Sequence, residues 1–351
     1  MKQFLTTMAG VFAGLVLFLV GVPFLLIVMA AGATKPAPTP AHAVLELDLR
    51  DPLTDQDPIN PFASIGRRSV SVMSVIETLD RAGRDGKVKA VLVRLPEGGM
   101  APASADEIRL ALKKFRATGK AVYAHSQGLY PSGIVTSTYM LGAAADEFWM
   151  QPGASLQVTG ISSEDVFLKR FFDKYGVRAD YEQRYEYKNA VNPYLYSDYT
   201  PAHRESQLSW MGSIYGASLV NAAGDRKQEP QTLRASLEAG PYQAEDALKL
   251  KLIDKVGQVK EVETAILAKA GKGAELVEFE KYMRTNRDRV PRPGPAIAVV
   301  EGEGAIVTGR DGTANPFSSS SSMYSDDVAE ALYDAIEDKD VKAIVFRVSS
   351  P

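Results

Sequence analysis

Val88-Lys89-Ala90-Val91-Leu92-Val93-Arg94-Leu95 returns as Val341-Lys342-Ala343-Ile344-Val345-Phe346-Arg347-Val348, a shift of 253 positions in a chain of 351 residues. Each copy carries a short apolar run without polar alternation, which reads as a parallel strand buried on both faces. Working outward at the same shift, Val75, Leu79 and Ala82 correspond to Val328, Leu332 and Ala335. Ala43-Val44-Leu45 corresponds to Ala296-Ile297-Ala298. An Asn-Pro-Phe triplet, Asn60 to Phe62 and again Asn315 to Phe317, is displaced by two further residues, as a loop insertion would do. Solenoid repeats run about 20–50 residues, so this longer period reads as two copies of one domain.

Around the deciding strand, elements alternate. Ala43 to Leu49 alternates apolar and polar residues and is expected as a half-buried strand. Ser69 to Ala82 has helical spacing at Val72, Val75, Ile76 and Leu79. After Pro96-Glu97-Gly98-Gly99, the quartet Ser104-Ala105-Asp106-Glu107 reads as a capping box opening a helix through Ile108, Leu112 and Phe115. Ala121 to Ala124 and Glu147 to Met150 are expected as strands, and Glu261 to Ala270 as a helix. The fold class is therefore α/β, with parallel strands joined by right-handed crossovers. The first copy is expected over 43–275, a charged, Pro-rich connector over 276–295, and the start of a second copy over 296–351. That last piece holds too little to cover a parallel sheet on both faces, so weak order is expected there.

The N-terminus is apolar. Residues 8–33 carry no charge, and the run reaches the roughly 20 residues that cross a bilayer. It exceeds the usual 7–15 residues of a cleaved signal's apolar region, so an uncleaved anchor is expected over a signal peptide. Residues 1–7, with Lys2, would lie in the cytoplasm. Residues 34–42, including Ala37-Pro38-Thr39-Pro40, would form a stiff spacer to an extracytoplasmic body. The net charge of −3 gives no electrostatic case for nucleic acid. With no cysteine and three scattered histidines, His42, His125 and His203, no metal site or thiol chemistry is indicated.

One segment draws attention for chemistry. In Tyr185-Glu186-Tyr187-Lys188-Asn189-Ala190-Val191-Asn192-Pro193-Tyr194, aromatic and apolar residues flank a lysine. Burial there would depress the lysine's pKa and let it take a proton from a serine hydroxyl, in a Ser–Lys arrangement. Local composition alone favours an exposed or salt-bridged lysine, with Glu182, Arg184 and Glu186 close by. Ser132-Gly133 and Thr136 offer hydroxyls in the first copy, but Tyr130-Pro131 interrupts the small residues of a close-packed turn, and a structural loop is expected. Gly98-Gly99 reads as a strand-to-helix turn, and the serines 318–322 as a solvated loop. His125 and His203 show no carboxylate partner in sequence and are expected at the surface or in loops.

Three stretches together resemble peptidase family S49, in its long two-domain signal peptide peptidase A (protease IV) form. Tyr187 to Tyr194 is similar to the family's Y-K-x-A-x-x-P-F, with Tyr194 in place of Phe. Ser197 to Glu205 is similar to a segment ending S-P-A-x-R-E. Ala244 to Asp254 resembles the A-x-x-x-G-L-V-D element shared with Clp-protease and crotonase-like folds, with Lys251 where glycine is usual. The resemblance implies a tandem ClpP/crotonase-like domain behind one transmembrane helix, in a bacterial inner membrane with the bulk of the chain periplasmic. It makes Lys188 the general base of a Ser–Lys dyad. The family's nucleophile and its Gly-Gly oxyanion turn lie beyond the strand ending Arg347-Val348-Ser349-Ser350-Pro351, so a chain truncated before the serine is expected, inactive by itself. Ser349 and Ser350 match positions before that turn, not the nucleophile. The implied substrates are apolar signal peptides. The implied partners are membrane lipid and further copies of the chain, with no cofactor and no metal. A competing reading is an inactive membrane-tethered scaffold that binds peptides. An acyl-CoA enzyme is disfavoured by the anchor and by the match around Lys188.

Overall fold

The computed structural model describes residues 2–25, 38–55, 70–286, 294–310 and 322–350. Two compact units separate, residues 1–39 and 40–351. In the first, a helix over Lys2–Val16 passes through a π-helical turn, Leu17–Gly21, and continues to 25. Thr6–Leu25 is long and apolar enough to cross a membrane, with mean hydropathy 2.4, a property a signal sequence near an N-terminus shares. Residues 26–33 of the expected anchor lie outside the described residues, as do both Asn-Pro-Phe triplets.

The second unit is built on β1 (Ala43–Asp48), β2 (Val88–Arg94), β3 (Ala121–Ser126) and β4 (Glu147–Met150). Short strands β5 (Ser155–Leu156) and β6 (Tyr242–Gln243) pair antiparallel beside them. With β7 (Lys255–Val256) and β8 (Glu275–Glu278), the main sheet has the order β7-β4-β3-β2-β1-β8, every neighbour parallel. Parallel strands cannot be joined by hairpins, so helices cross between them, at Val72–Arg84, Pro102–Arg116 and Val135–Ala143. Two apolar layers result. Leu45, Val91, Val93, Val122 and Phe148 face one core, with helix residues Val75, Leu79, Ile108 and Leu219. Val44, Leu92, Tyr123 and Trp149 face the other, against Val262 and Ile266 of the helix Val259–Ala270. A Leu or Val fully buried in such a layer contributes about 1.5–3 kcal/mol over leaving it in water.

Two expectations shift, while β1 keeps its half-buried pattern, with Leu45 and Leu47 buried, Glu46 partly exposed and Asp48 exposed. Its polar positions are matched by charge: Glu46 Oε1 lies 3.3 Å from Arg94 Nη1, and Asp48 Oδ1 accepts from Arg50 Nε at 2.9 Å. The helix after Gly98-Gly99 begins at Pro102, whose fixed φ suits a first helical position, so Ser104 lies inside it and caps nothing. The first copy also runs past residue 275. β8 adds an edge to β1, and Phe279 and Tyr282 of the helix Phe279–Thr285 are buried in the first core.

The second copy contributes β9 (Ala296–Glu303), β10 (Ala305–Val307), β11 (Ser322–Tyr324) and β12 (Val341–Ser349), with the helix Ser325–Glu337. β9 and β12 pair in parallel as β1 and β2 do. Both pairs shift register at the same place, between Ala43 and Val44 and between Val341 and Ala343. The duplication is thus conserved down to a bulge. Unlike β1 and β2, this pair leaves Ile297, Val299, Val345 and Phe346 exposed.

Candidate active site

Lys188 lies on a long excursion from the sheet, between the helix Lys169–Tyr175 and a 3₁₀ turn, Asn189–Val191. Tyr185 turns the chain there with φ 64°, and its carbonyl accepts from Lys188 N at 3.3 Å. Lys188 is exposed, as local composition favoured, and the flanking Tyr185 and Tyr187 also face solvent, 74% and 51% exposed.

The loop is nevertheless held. The Tyr187 hydroxyl donates to Glu205 Oε2 at 2.9 Å. Leu168 N donates to the Pro193 carbonyl at 2.7 Å, and buried Asn192 lies 3.4 Å from Thr200 Oγ1 through its Nδ2. Thr200 caps the helix Pro201–Arg226 by accepting from His203 N. His203 is buried rather than superficial, and it has a carboxylate neighbour: Asp165 Oδ2 lies 3.8 Å from its Nε2 and also accepts from the Tyr199 hydroxyl at 2.8 Å. The Phe167, Tyr199 and His203 rings meet edge-on or tilted around this group. The two motif segments, Tyr187–Tyr194 and Ser197–Glu205, therefore form one hydrogen-bonded unit. Sequence alone showed the segments but not the side chains that join them.

The first-copy turn shows what its glycines are for. Gly99 N donates to the Ser132 carbonyl at 2.5 Å, and Tyr130 N donates to the Glu97 carbonyl at 2.8 Å. A Cβ on Gly99 would stand 2.1 Å from Ile134 N, so only glycine fits. Met100 N donates to Thr138 Oγ1, which in turn donates to the Gly98 carbonyl. The amides of Gly99 and Met100 are thus already engaged by the chain itself. Thr136 is buried and spends its hydroxyl on the Thr159 carbonyl at 2.9 Å. Ser132 lies in a loop as expected, whereas Thr136 lies in the first turn of the helix Val135–Ala143.

Two further positions stand out. His125, expected at the surface or in a loop, is buried at the end of β3, 3.2 Å from the Gly257 carbonyl through Nε2. Burial, reinforced by the positive charge of Arg94, pushes its pKa down to about 4. Lys251, where the resembling element has glycine, sits at φ 58°, in the left-handed region. Its neighbour Asp254 accepts from Phe148 N at 2.8 Å and pairs with Arg226, joining that element to β4. Among the described residues, no group of three or more His, Asp or Glu is placed to hold a metal.

By fold, then, the chain is a parallel-sheet α/β protein with a lysine presented on a pinned loop. Residues 114–273 match the model of peptidase family S49 and enclose that loop. Protease 4 of Salmonella typhi is 27% identical over 337 residues, covering 89% of this chain and 52% of that protein. Protease 4 of Haemophilus influenzae is 28% identical over 367 residues, covering 97% and 57%. A chloroplastic serine protease SPPA of Arabidopsis thaliana is 22% identical over 315 residues, covering 88% and 45%. The chain is thus similar to peptidase family S49 over residues 114–273, and to these proteases along most of its length. It spans about half the length of the curated relatives it matches. Among solved structures, a peptidase from Plasmodium falciparum aligns with TM-score 0.33 and 11% identity, over 61% of this chain and 95% of that one. The ClpP protease catalytic domain from the same organism aligns with TM-score 0.33 and 9% identity, over 62% and 86%.

Proposed function

We propose that this chain is the base-bearing part of a membrane-anchored serine endopeptidase that degrades cleaved signal peptides after export. Lys188 Nζ takes the proton of a serine hydroxyl carried outside residues 1–351. The serine oxygen attacks the scissile carbonyl and forms an acyl-enzyme, and Lys188 then activates the water that releases it. An exposed lysine is a poor base at neutral pH, so the segment bearing the serine, together with bound substrate, must cover Lys188 and desolvate it. Exposure in the chain as given is what such a division of labour requires, since a base already buried would be closed to a nucleophile arriving from elsewhere. Substrates are extended apolar peptides, bound by strand addition. Residues 8–33 anchor the protein in a bacterial inner membrane, with the body outside the cytoplasm and self-associated. No cofactor or metal takes part.

The observation that carries this reading is the S49 match spanning residues 114–273, with Lys188 inside it on a loop fixed at both flanks. The test is Lys188→Ala and Lys188→Arg in the full-length protein, assayed on an apolar peptide. Both are expected to lose activity by about 10³-fold or more, with unchanged circular dichroism. Activity within tenfold of the parent would remove Lys188 from the mechanism. The second reading, a tethered scaffold that binds peptides, draws on the same exposure, which a binding protein tolerates without cost. Binding of the peptide without cleavage by the full-length protein would favour it.

A further inference from the structure

Arg94 and Arg347 hold the same place in the two copies, one near the end of β2 and one near the end of β12. Their partners differ. Arg94 is buried and pairs with Glu46 of its own copy. Val299 stands at the counterpart of Glu46, so that particular pair is not repeated on β9. Arg347 reaches instead into the first copy. Its Nε donates to Asp55 Oδ2 at 2.8 Å, its Nη2 to Asp55 Oδ1, and its Nη1 to Glu107 Oε1 at 2.8 Å. Asp55 N in turn donates to Glu303 Oε1 at 3.3 Å, so β9 takes part as well.

Most surface ion pairs contribute little, because water screens them and long side chains lose entropy in forming them. This one differs in two respects. The Arg347 and Asp55 side chains are only 19% and 14% exposed, and the guanidinium forks across Asp55 while its third nitrogen holds Glu107. Glu107 lies in the first turns of the helix that follows the Gly98-Gly99 turn. The contact therefore sets the end of β12 against the beginning of that helix, although 240 residues separate the two partners.

We infer that Arg347 is a latch seating the second copy on the first, and so a positioning residue for the peptidase reaction. The seating rests on the contacts above. Its consequence for catalysis rests on the proposed function, in which the residues following β12 supply the oxyanion turn and must face Lys188.

The test is hydrogen exchange on residues 1–351 with Arg347→Leu. Amides of β9 and β12 should exchange at least about tenfold faster, while those of β1, β2 and β3 stay unchanged. Arg347→Lys, which keeps the charge but not the fork, should fall between. The swap of Arg347→Asp with Asp55→Arg should recover part of the protection. Unchanged exchange in Arg347→Leu, or an equal rise in both sheets, would overturn the latch. In the full-length protein the same substitution should lower kcat about tenfold or more with little change in KM, as expected for misplacement of a reacting group. If the parent full-length protein cleaves no peptide, the proposed function falls while the exchange result still decides the latch.

Discussion

Tyr187, the residue before Lys188, donates its phenolic hydrogen to Glu205 at 2.9 Å, across 18 residues of sequence. That bond ties the lysine turn to the second turn of the helix Pro201–Arg226. Hydrogen bonding to the carboxylate raises the phenol's pKa, so Tyr187 remains a donor through neutral pH. If the bond orients Lys188, Tyr187→Phe and Glu205→Gln should each lower kcat of the full-length protein by about 3–30-fold without loss of fold. The double variant should be no worse than the weaker single, since both remove one interaction. Additive losses in that cycle would show that the two side chains act separately.

Lys251 holds a left-handed backbone conformation that costs an L-residue about 1–2 kcal/mol and costs glycine nothing. Glycine gives part of this back through the greater freedom of its unfolded chain. Lys251→Gly should therefore stabilise the protein by about 0.5–1 kcal/mol, read as a shift in the urea midpoint at constant slope. The contacts that depend on this residue are made by its carbonyl, which accepts from Arg226 and Gln228, and they survive the change. A β-branched replacement, Lys251→Val, should move the midpoint the other way. A destabilised glycine variant would mean that the lysine side chain carries an interaction outweighing the backbone strain.

The legible parts of the fold were those in which one force acts alone. β2 and β4 each carry a short apolar run, Ala90 to Val93 and Phe148 to Met150, whose reading needed only burial on both faces. β1 was legible as a half-buried strand, with Glu46 and Asp48 the more exposed positions. In the fold they are matched by Arg94 and Arg50, and no alternation rule contains that information. Ser104 and Glu107 satisfied a capping pattern, yet Pro102 started the helix earlier and freed Glu107 to pair with Arg347. The lysine was found through the motif around it, and its exposure agrees with the charged residues close by, since aromatic neighbours in sequence need not pack over a turn. The partners of Arg347 lie 292 and 240 residues away. A contact of that separation is set by how the two copies seat together, and neither copy's sequence states it. Both histidines expected at the surface or in loops proved buried for a similar reason, since each meets its partners only after strands and helices assemble.

His125 gives a pH dependence whose sign can be worked out. In the fold its Nε2 lies against the Gly257 carbonyl, its Nδ1 is buried without a partner among the described residues, and its pKa is depressed from 6.5 to about 4. Burial is the main cause and the Arg94 charge adds to it. The unfolded chain therefore takes up a proton near pH 6.5 that the folded chain refuses until about pH 4. Between those values the unfolded state binds more protons, so stability falls as pH is lowered. The stabilisation is fully present above about pH 6.5 and is lost progressively down to about pH 4, amounting to on the order of 3 kcal/mol. His125→Gln, which does not titrate, should flatten the stability profile in that window and leave the region above pH 7 with the same slope as the parent. Urea unfolding at intervals of half a pH unit measures both profiles. If parent and variant lose stability in parallel between pH 6.5 and 4, the proton uptake belongs to other groups and His125 is not the source.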